Sequence, residues 1–268
     1  MNAALQDYVS AREALLAQIA GVLSLDERFV ATWLTGSFGR NDADAVSDLD
    51  LTVVVADLYS EKLCARPWQV SARTTNERLD LFSKFGQPVV IHENNHNAPE
   101  GGTFTFVLYA ESALMVDWTL RPRATAQRPT PARLLFDRVG IPLSPPMEPE
   151  ILEQRIERAS ENIAFFWMMV AVIVKYIVRH DTVFVQYWLE ALHTIVREVE
   201  RLLEGAAWSY HRGSLSPLAV TREDQINTIR QLSERILKLT PAVAELGGHI
   251  PVSPMPAIEH LLNLADSR

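Results

Sequence analysis

Prolines divide this chain of 268 residues into two parts of different character. Seven of the 15 prolines lie between Pro122 and Pro149, where they flank the strand-like segment LLFDRV. Because proline interrupts helix interiors and the centres of sheets, this stretch is predicted to contain the seam between two domains, 1–146 and 147–268. Strand and helix patterns alternate before the seam, whereas only helical patterns follow it.

The first domain is predicted to be an α/β (α+β) unit with a mixed sheet. Apolar residues recur at helical spacing from Leu5 to Leu23, which indicates an amphipathic first helix. Five later runs are rich in β-branched and aromatic residues and are bounded by Gly, Pro, Asn or Asp, as strands are. These runs span 29–35, 50–55, 88–92, 103–109 and 113–120. A helix over 70–85 is predicted between the second run and the third.

The second domain is predicted to be an all-α helical bundle. Helical periodicity covers 151–179, 182–203, 222–239 and 257–265. Long helical patterns separated by short connections are typical of antiparallel neighbours in a bundle. The aromatic cluster of Phe165, Phe166 and Trp167 is assigned to the core of this bundle rather than to a cofactor site.

Composition limits the partners and the compartment. The 25 Lys and Arg residues are outnumbered by 33 Asp and Glu, a formal net charge of −8, which disfavours long nucleic acid as a partner. The single cysteine, Cys64, excludes an internal disulfide and fits a reducing compartment. The longest apolar run, 163–174, is shorter than the ~20 residues that a bilayer span requires. These features predict a soluble, cytoplasmic protein that binds no membrane.

The segment TGSFGRNDADAVSDLDL, residues 35–51, carries the most specific pattern. Gly36 and Ser37 follow an apolar strand, and Asp48 and Asp50 enter the next one. Side chains alternate along a strand, so the two carboxylates share a face about 6.6 Å apart. They repel each other unless a cation lies between them, and Mg²⁺ prefers such oxygen ligands. A Gly-Ser turn lets backbone N–H groups approach an anion, so the segment suits a nucleoside triphosphate bound through Mg²⁺.

Asp117 adds a third carboxylate to this pattern. It is the one charged residue in the apolar run ALMVDWTL, where an unpaired carboxylate is costly to bury. If its strand neighbours that of Asp50, three carboxylates can hold two metal ions roughly 3.5–4 Å apart, as in phosphoryl transfer. The alternative is an ordinary strand-edge residue paired with Arg121 or Arg123.

Together these residues resemble a known family. Gly36-Ser37, ten intervening residues, Asp48-x-Asp50 and a later lone Asp on a strand are similar to the nucleotidyltransferase superfamily that includes DNA polymerase beta. The order of an α/β domain and a helical domain looks most like its antibiotic-modifying branch, the aminoglycoside and lincosamide nucleotidyltransferases. One departure is Asn41, which stands where glycine is usual; asparagine tolerates the left-handed backbone conformation.

The resemblance implies roles for individual residues. Asp48, Asp50 and Asp117 would be the catalytic residues and the ligands of two Mg²⁺ ions. Gly36 and Ser37 would bind the triphosphate of ATP or of another nucleoside triphosphate. The family's general base usually comes from the helical domain and has no motif by which to place it. Asp181 and Glu190 are the candidates, and for each the alternative is an ordinary helix-end or surface charge.

Two basic residues have two interpretations each. Arg40 matches a family position that reaches a phosphate, and it is equally suited to a surface ion pair with Asp42 or Asp44. Lys175 interrupts the apolar helix IAFFWMMVAVIVKYIVR. It could contact the triphosphate, or its stem could pack on the bundle while its ammonium group reaches water.

The sequence therefore predicts Mg²⁺-dependent transfer of a nucleoside monophosphate, AMP from ATP above others, to a hydroxyl of a small molecule with release of pyrophosphate. The acidic surplus favours a small cationic acceptor such as an aminoglycoside, with a lincosamide or an endogenous metabolite as alternatives and antibiotic resistance as the implied role. Relatives include homodimers that share a site between subunits, so a homodimer is one of the open options.

Two other functions compete with this hypothesis. One is a non-catalytic nucleotide-binding or partner-binding relative of the antitoxin type. The other is a zinc peptidase, because His92-Glu93-x-x-His96 matches the H-E-x-x-H signature. That signature requires a helix, whereas the β-type run before it and the Asn-rich sequence after it predict a loop between strands.

Overall fold

The structure is a computed structural model that describes residues 3–65, 74–94, 96–145, 150–206, 218–252 and 254–266. The chain divides into two compact units, Met1–Pro146 and Met147–Arg268. The first unit contains a mixed sheet and the second contains helices that follow it, so an α+β architecture with a mixed sheet is confirmed.

Six strands and eight α-helices lie within the described residues. The strands are β1 (Phe29–Leu34), β2 (Leu49–Val55), β3 (Pro88–Glu93), β4 (Thr103–Tyr109), β5 (Met115–Pro122) and β6 (Arg133–Asp137). The helices of the first unit are α1 (Ala3–Leu25), α2 (Gly36–Arg40), α3 (Asp57–Leu63) and α4 (Asn76–Ser83). Those of the second unit are α5 (Leu152–Val178), α6 (Thr182–Glu204), α7 (Arg222–Glu245) and α8 (Met255–Asp266).

The strands form one sheet in the order β3-β4-β5-β2-β1-β6. The pair β2 and β5 is parallel, whereas the other neighbouring strands are antiparallel. The segment flanked by prolines thus contributes β6 to the edge of the first unit's sheet. Proline is tolerated beside an edge strand because one side of such a strand needs no ladder partner.

The two faces of the sheet have different roles. One face is covered by α1 and α4, whose Leu16, Ile19, Leu81 and Phe82 are buried against it. In β2 and β5 the residues that alternate toward this core are apolar: Leu49, Leu51, Val53, Val55, Val116, Trp118 and Leu120. The residues between them therefore project from the opposite face, and these include Asp50 and Asp117.

The second unit is built around α5, which packs against α6, α7 and α8. Phe166 and Trp167 are buried in this core, as predicted, whereas Phe165 is 39% exposed. Within the described residues α5 is the one helix long and apolar enough to cross a membrane by length and composition. Eleven of its residues are buried among the helices of this unit, and the core helix of a water-soluble protein has the same length and composition.

Three helices differ from the prediction. α2 forms where the sequence predicted a Gly-Ser turn. α3 was not predicted, because its short sequence DLYSEKL has too few apolar positions to show a period. α7 was predicted to end near Leu239, before Pro241, but it continues to Glu245. Thr240 Oγ1 donates a 2.8 Å hydrogen bond to the carbonyl of Ile236, and Val243 beyond the proline is buried in the core. Packing of this last turn offsets the backbone hydrogen bond that proline removes.

Within the predicted helix over 70–85, α4 covers Asn76–Ser83, and residues 66–73 lie outside the described part.

Candidate active site

The parallel pair of β2 and β5 places two carboxylates side by side. Asp50 and Asp117 are register partners, between the buried partners Leu49 and Val116 on one side and Leu51 and Trp118 on the other. Asp48 lies one residue before the start of β2. The condition under which the sequence predicted a three-carboxylate site, that the two strands be neighbours, is met.

A glycine turn abuts this pair of carboxylates. The amide of Thr35 donates a 2.9 Å hydrogen bond to the carbonyl of Asp50, which ties the end of β1 to β2. Gly36 follows with a φ of +54°, and a Cβ atom at this position would overlap the Asp50 carboxylate. Glycine is favoured here by the backbone conformation, and a side chain would require the Asp50 carboxylate to move. Asn41 ends α2 in the left-handed conformation, with a φ of 60°. This is the conformation that asparagine was expected to tolerate at a position where glycine is usual.

Two buried polar atoms at this site have no hydrogen-bond partner among the described residues. One is Oγ of Ser37, a residue only 6% exposed, and the other is Oδ1 of Asp117. In the described part of the chain no ion pair joins Asp117 to Arg121 or Arg123, and β5 is an interior strand, so the alternative that Asp117 is a paired edge residue is wrong. Buried polar groups without partners cost stability, and such atoms are common where a ligand supplies the missing partner.

The electrostatics show that the three carboxylates act on each other. The pKa of Asp117 is raised to about 7, with burial as the largest cause, followed by the charges of Asp50 and Asp48. Burial also raises the pKa of Asp50, as does Asp48, while the Arg40 guanidinium acts against that shift. A bound cation would relieve this repulsion and favour the ionised carboxylates.

The donor set fits a hard divalent cation, since it consists of carboxylate oxygens with one buried oxygen still lacking a partner. In their present orientations, however, the side chains of the described residues form no group of three or more His, Cys, Asp or Glu that could hold a metal ion. Asp48, Asp50 and Asp117 would have to converge further on binding one.

The two predicted basic residues have different surroundings. Arg40 Nε donates to Asp42 Oδ2 at 3.2 Å, which is the predicted surface ion pair, yet Arg40 also acts on the pKa of Asp50. Its guanidinium therefore lies near the carboxylates as well. Lys175 is an exposed residue on α5 in the second unit, and its contact with a triphosphate stays a prediction.

The same face of the sheet carries residues that the sequence analysis did not assign to the site. Thr119 and Arg121 alternate with buried residues exactly as Asp117 does, and Phe104 and Phe106 lie opposite Thr119 and Asp117 on β4. Nε of Arg121 is buried and has no hydrogen-bond partner in the described part of the chain, and burial lowers its pKa. The period-2 alternation, extended from Asp117 in both directions, could have identified these residues.

The zinc hypothesis fails on secondary structure. His92 and Glu93 are the last residues of β3, and His96 lies in a turn, so the residues of the motif that the structure describes are not helical. Glu93 instead forms a 2.6 Å ion pair with Arg78, whose side chain is fully buried. This acid therefore neutralises a buried cation.

Neither candidate for the general base is distinguished by its contacts. Asp181 caps α6 by accepting a 3.0 Å hydrogen bond from the amide of Phe184, and Glu190 accepts one from Gln186 at 3.4 Å.

A scan against protein-family models found no matching family, and a search of curated proteins found no match.

Proposed function

We propose that this protein is a Mg²⁺-dependent nucleotidyltransferase that transfers a nucleoside monophosphate, AMP from ATP, to a hydroxyl group of a small molecule. The observation that carries the proposal is the register pairing of Asp50 with Asp117, both with raised pKa values, beside Gly36, whose lack of a side chain leaves room for the Asp50 carboxylate. Asp48 completes the set at the entry of β2.

The turn and the carboxylates have separate roles in binding the nucleotide. Backbone N–H groups of the Gly36–Ser37 turn, with the buried Ser37 hydroxyl, bind the triphosphate, and Arg40 reaches it from the end of α2. The three carboxylates would hold the metal ions. These ions would supply positive charge that neutralises the triphosphate and favours the deprotonated acceptor hydroxyl.

The reaction is an in-line displacement at the α-phosphorus. The acceptor oxygen forms a bond to this phosphorus and loses its proton to a base, while the bond to the bridging oxygen breaks and pyrophosphate leaves with the electron pair. The chain contributes mainly position and charge, because phosphoryl transfer requires little covalent chemistry from the protein.

The acceptor lies, in this proposal, on the face of β4 and β5 that carries Asp117. Phe104 and Phe106 provide apolar area next to Asp117, which suits the ring of an aminoglycoside or a lincosamide. The net charge of −8 favours a cationic acceptor over long nucleic acid. The protein acts in the cytoplasm in this proposal, and a homodimer that shares the site remains one of its forms.

Pyrophosphate release tests the proposal. Wild-type protein is incubated with Mg²⁺, with each of ATP, GTP, CTP and UTP, and with a panel of aminoglycosides and lincosamides. We expect release with at least one pair, and its loss in Asp48→Asn with the fold retained. Asp7→Asn, which removes an exposed carboxylate from α1, is the matched control and should keep full activity.

Two results would contradict the proposal. Full activity in Asp48→Asn would remove the metal assignment. Stabilisation of the protein by ATP and Mg²⁺ without pyrophosphate release from any pair would favour the non-catalytic nucleotide-binding alternative.

A further inference from the structure

Arg12 on α1 is a buried cation that reaches the segment before Asp48. Its side chain is 5% exposed. Its Nη1 donates a 2.9 Å hydrogen bond to the carbonyl of Asp44 and a 2.8 Å hydrogen bond to the carbonyl of Ser47. Ser47 is the residue directly before Asp48, so Arg12 holds the backbone from which the first carboxylate projects.

The same guanidinium contacts the other half of the site. Its central carbon lies 4.9 Å from the centroid of the Phe38 ring, a cation–π contact with the residue that follows Ser37 in α2. One side chain thus links the turn proposed to bind triphosphate with the backbone proposed to present a metal ligand.

The segment held by Arg12 is a turn with its own hydrogen bonds. Asp44 Oδ1 accepts a 3.0 Å bond from the amide of Val46 and a 2.9 Å bond from the hydroxyl of Ser47. The amide of Asp44 in turn donates to Ser47 Oγ at 2.8 Å. These bonds are internal to the turn, whereas the two hydrogen bonds from Arg12 join it to α1.

We propose that Arg12 is a positioning residue that sets Asp48 at a fixed place relative to the Gly36–Ser37 turn, so that metal and triphosphate are bound together. This inference rests on the proposed function. Its physical basis is that metal ligands depend on the groups that orient them, and loss of such a group typically lowers metal affinity 10- to 100-fold.

The test compares two variants of Arg12 with a matched control. Arg12→Met keeps the apolar length without the donors, and Arg12→Gln is a smaller neutral side chain that is too short to reach the two carbonyls. The control is Arg133→Met, since Arg133 also lies over the Phe38 ring, at 5.8 Å, but is an exposed residue of β6. All three proteins and the wild type are studied as full chains.

Two measurements are made on each protein. Hydrogen exchange followed by mass spectrometry reports on residues 42–48, and electron paramagnetic resonance measures the affinity for Mn²⁺ alone. In both Arg12 variants we expect faster exchange over 42–48 and at least about tenfold weaker Mn²⁺ binding. Arg133→Met should match the wild type in both measurements. If Arg12→Met does not fold, the same changes in Arg12→Gln decide the question.

The failures of the two proposals are distinguishable. Wild-type exchange over 42–48 in a folded Arg12 variant, or Mn²⁺ affinity within twofold of the wild type, would overturn the positioning role. A wild-type protein that binds no Mn²⁺ would instead overturn the metal site on which the proposed function depends.

Discussion

Asp117→Asn should make the protein more stable while it removes the proposed activity. The pKa of Asp117 is raised from 3.8 to about 7, with burial as the largest cause and the neighbouring carboxylates as the next. The folded state therefore disfavours the ionised carboxylate. Asparagine has nearly the same shape and carries no charge, so the substitution removes this penalty.

The size of the effect follows from the shift. A shift from 3.8 to about 7 in a fully buried group would correspond to roughly 4 kcal/mol. Asp117 is half-buried, and solvent screening reduces the expected gain to about 2 kcal/mol. The raised pKa means that the folded state binds the proton more tightly than the unfolded state does. Wild-type stability therefore falls as pH rises from about 4 to about 7, and the advantage of the variant grows over the same range and is constant above it.

Chemical denaturation with urea in the presence of a chelator measures this advantage. At pH 8 the free energy of unfolding of the first unit should be about 2 kcal/mol higher in Asp117→Asn than in the wild type. At pH 4 the two proteins should have the same free energy of unfolding. Asp7→Asn should match the wild type at both values. Equal stability of Asp117→Asn and the wild type at pH 8 would refute the electrostatic argument.

Two further predictions concern buried polar groups. Ser37→Ala should change the free energy of unfolding by less than about 0.5 kcal/mol, because the hydroxyl has no hydrogen-bond partner among the residues that the structure describes. It should weaken binding of ATP with Mg²⁺ about tenfold in titration calorimetry, and unchanged affinity would remove Ser37 from the site. Arg78→Met should lower the free energy of unfolding by about 3–5 kcal/mol in urea denaturation, because it leaves Glu93 without its cation. Lys62→Met, which changes an exposed residue of α3, should lower it little. Equal stability of the two variants would show that the ion pair contributes nothing.

The features that were predicted correctly from the sequence are those that depend on residues close together in the chain. All five predicted strands are present within two residues at each end, because each has enough β-branched and aromatic residues between turn signals. The spacing of Gly36, Asp48 and Asp50 likewise located the segment whose carboxylates act on one another. The substrate, the metal and the reaction stay predictions.

Contacts between distant parts of the chain could not be predicted in this way. Arg12 and Asp44 are separated by the second half of α1, by β1 and by α2, so no local pattern associates them. Arg78 occurs in a polar helix where an arginine is ordinarily exposed, and only the fold reveals that it is buried against Glu93. A sequence shows which residues are unusual among their neighbours in the chain. The partners of Arg12 and Arg78, however, belong to elements that are distant in the chain.

The parallel pairing of β2 and β5 has a consequence for how the protein acquires its site. Asp50 and Asp117 belong to strands that are distant in sequence, and α3, α4, β3 and β4 lie between them. Pairings of this kind close a long loop, and they form late because the entropy of closure is lost before the contact stabilises the chain. A partly folded or newly made chain would therefore keep Asp117 apart from Asp48 and Asp50, with an ordinary affinity for protons. The burial and the repulsion that raise the pKa of Asp117 arise only when β2 and β5 have paired, so a protonated Asp117 near neutral pH would serve as a spectroscopic mark of the finished fold.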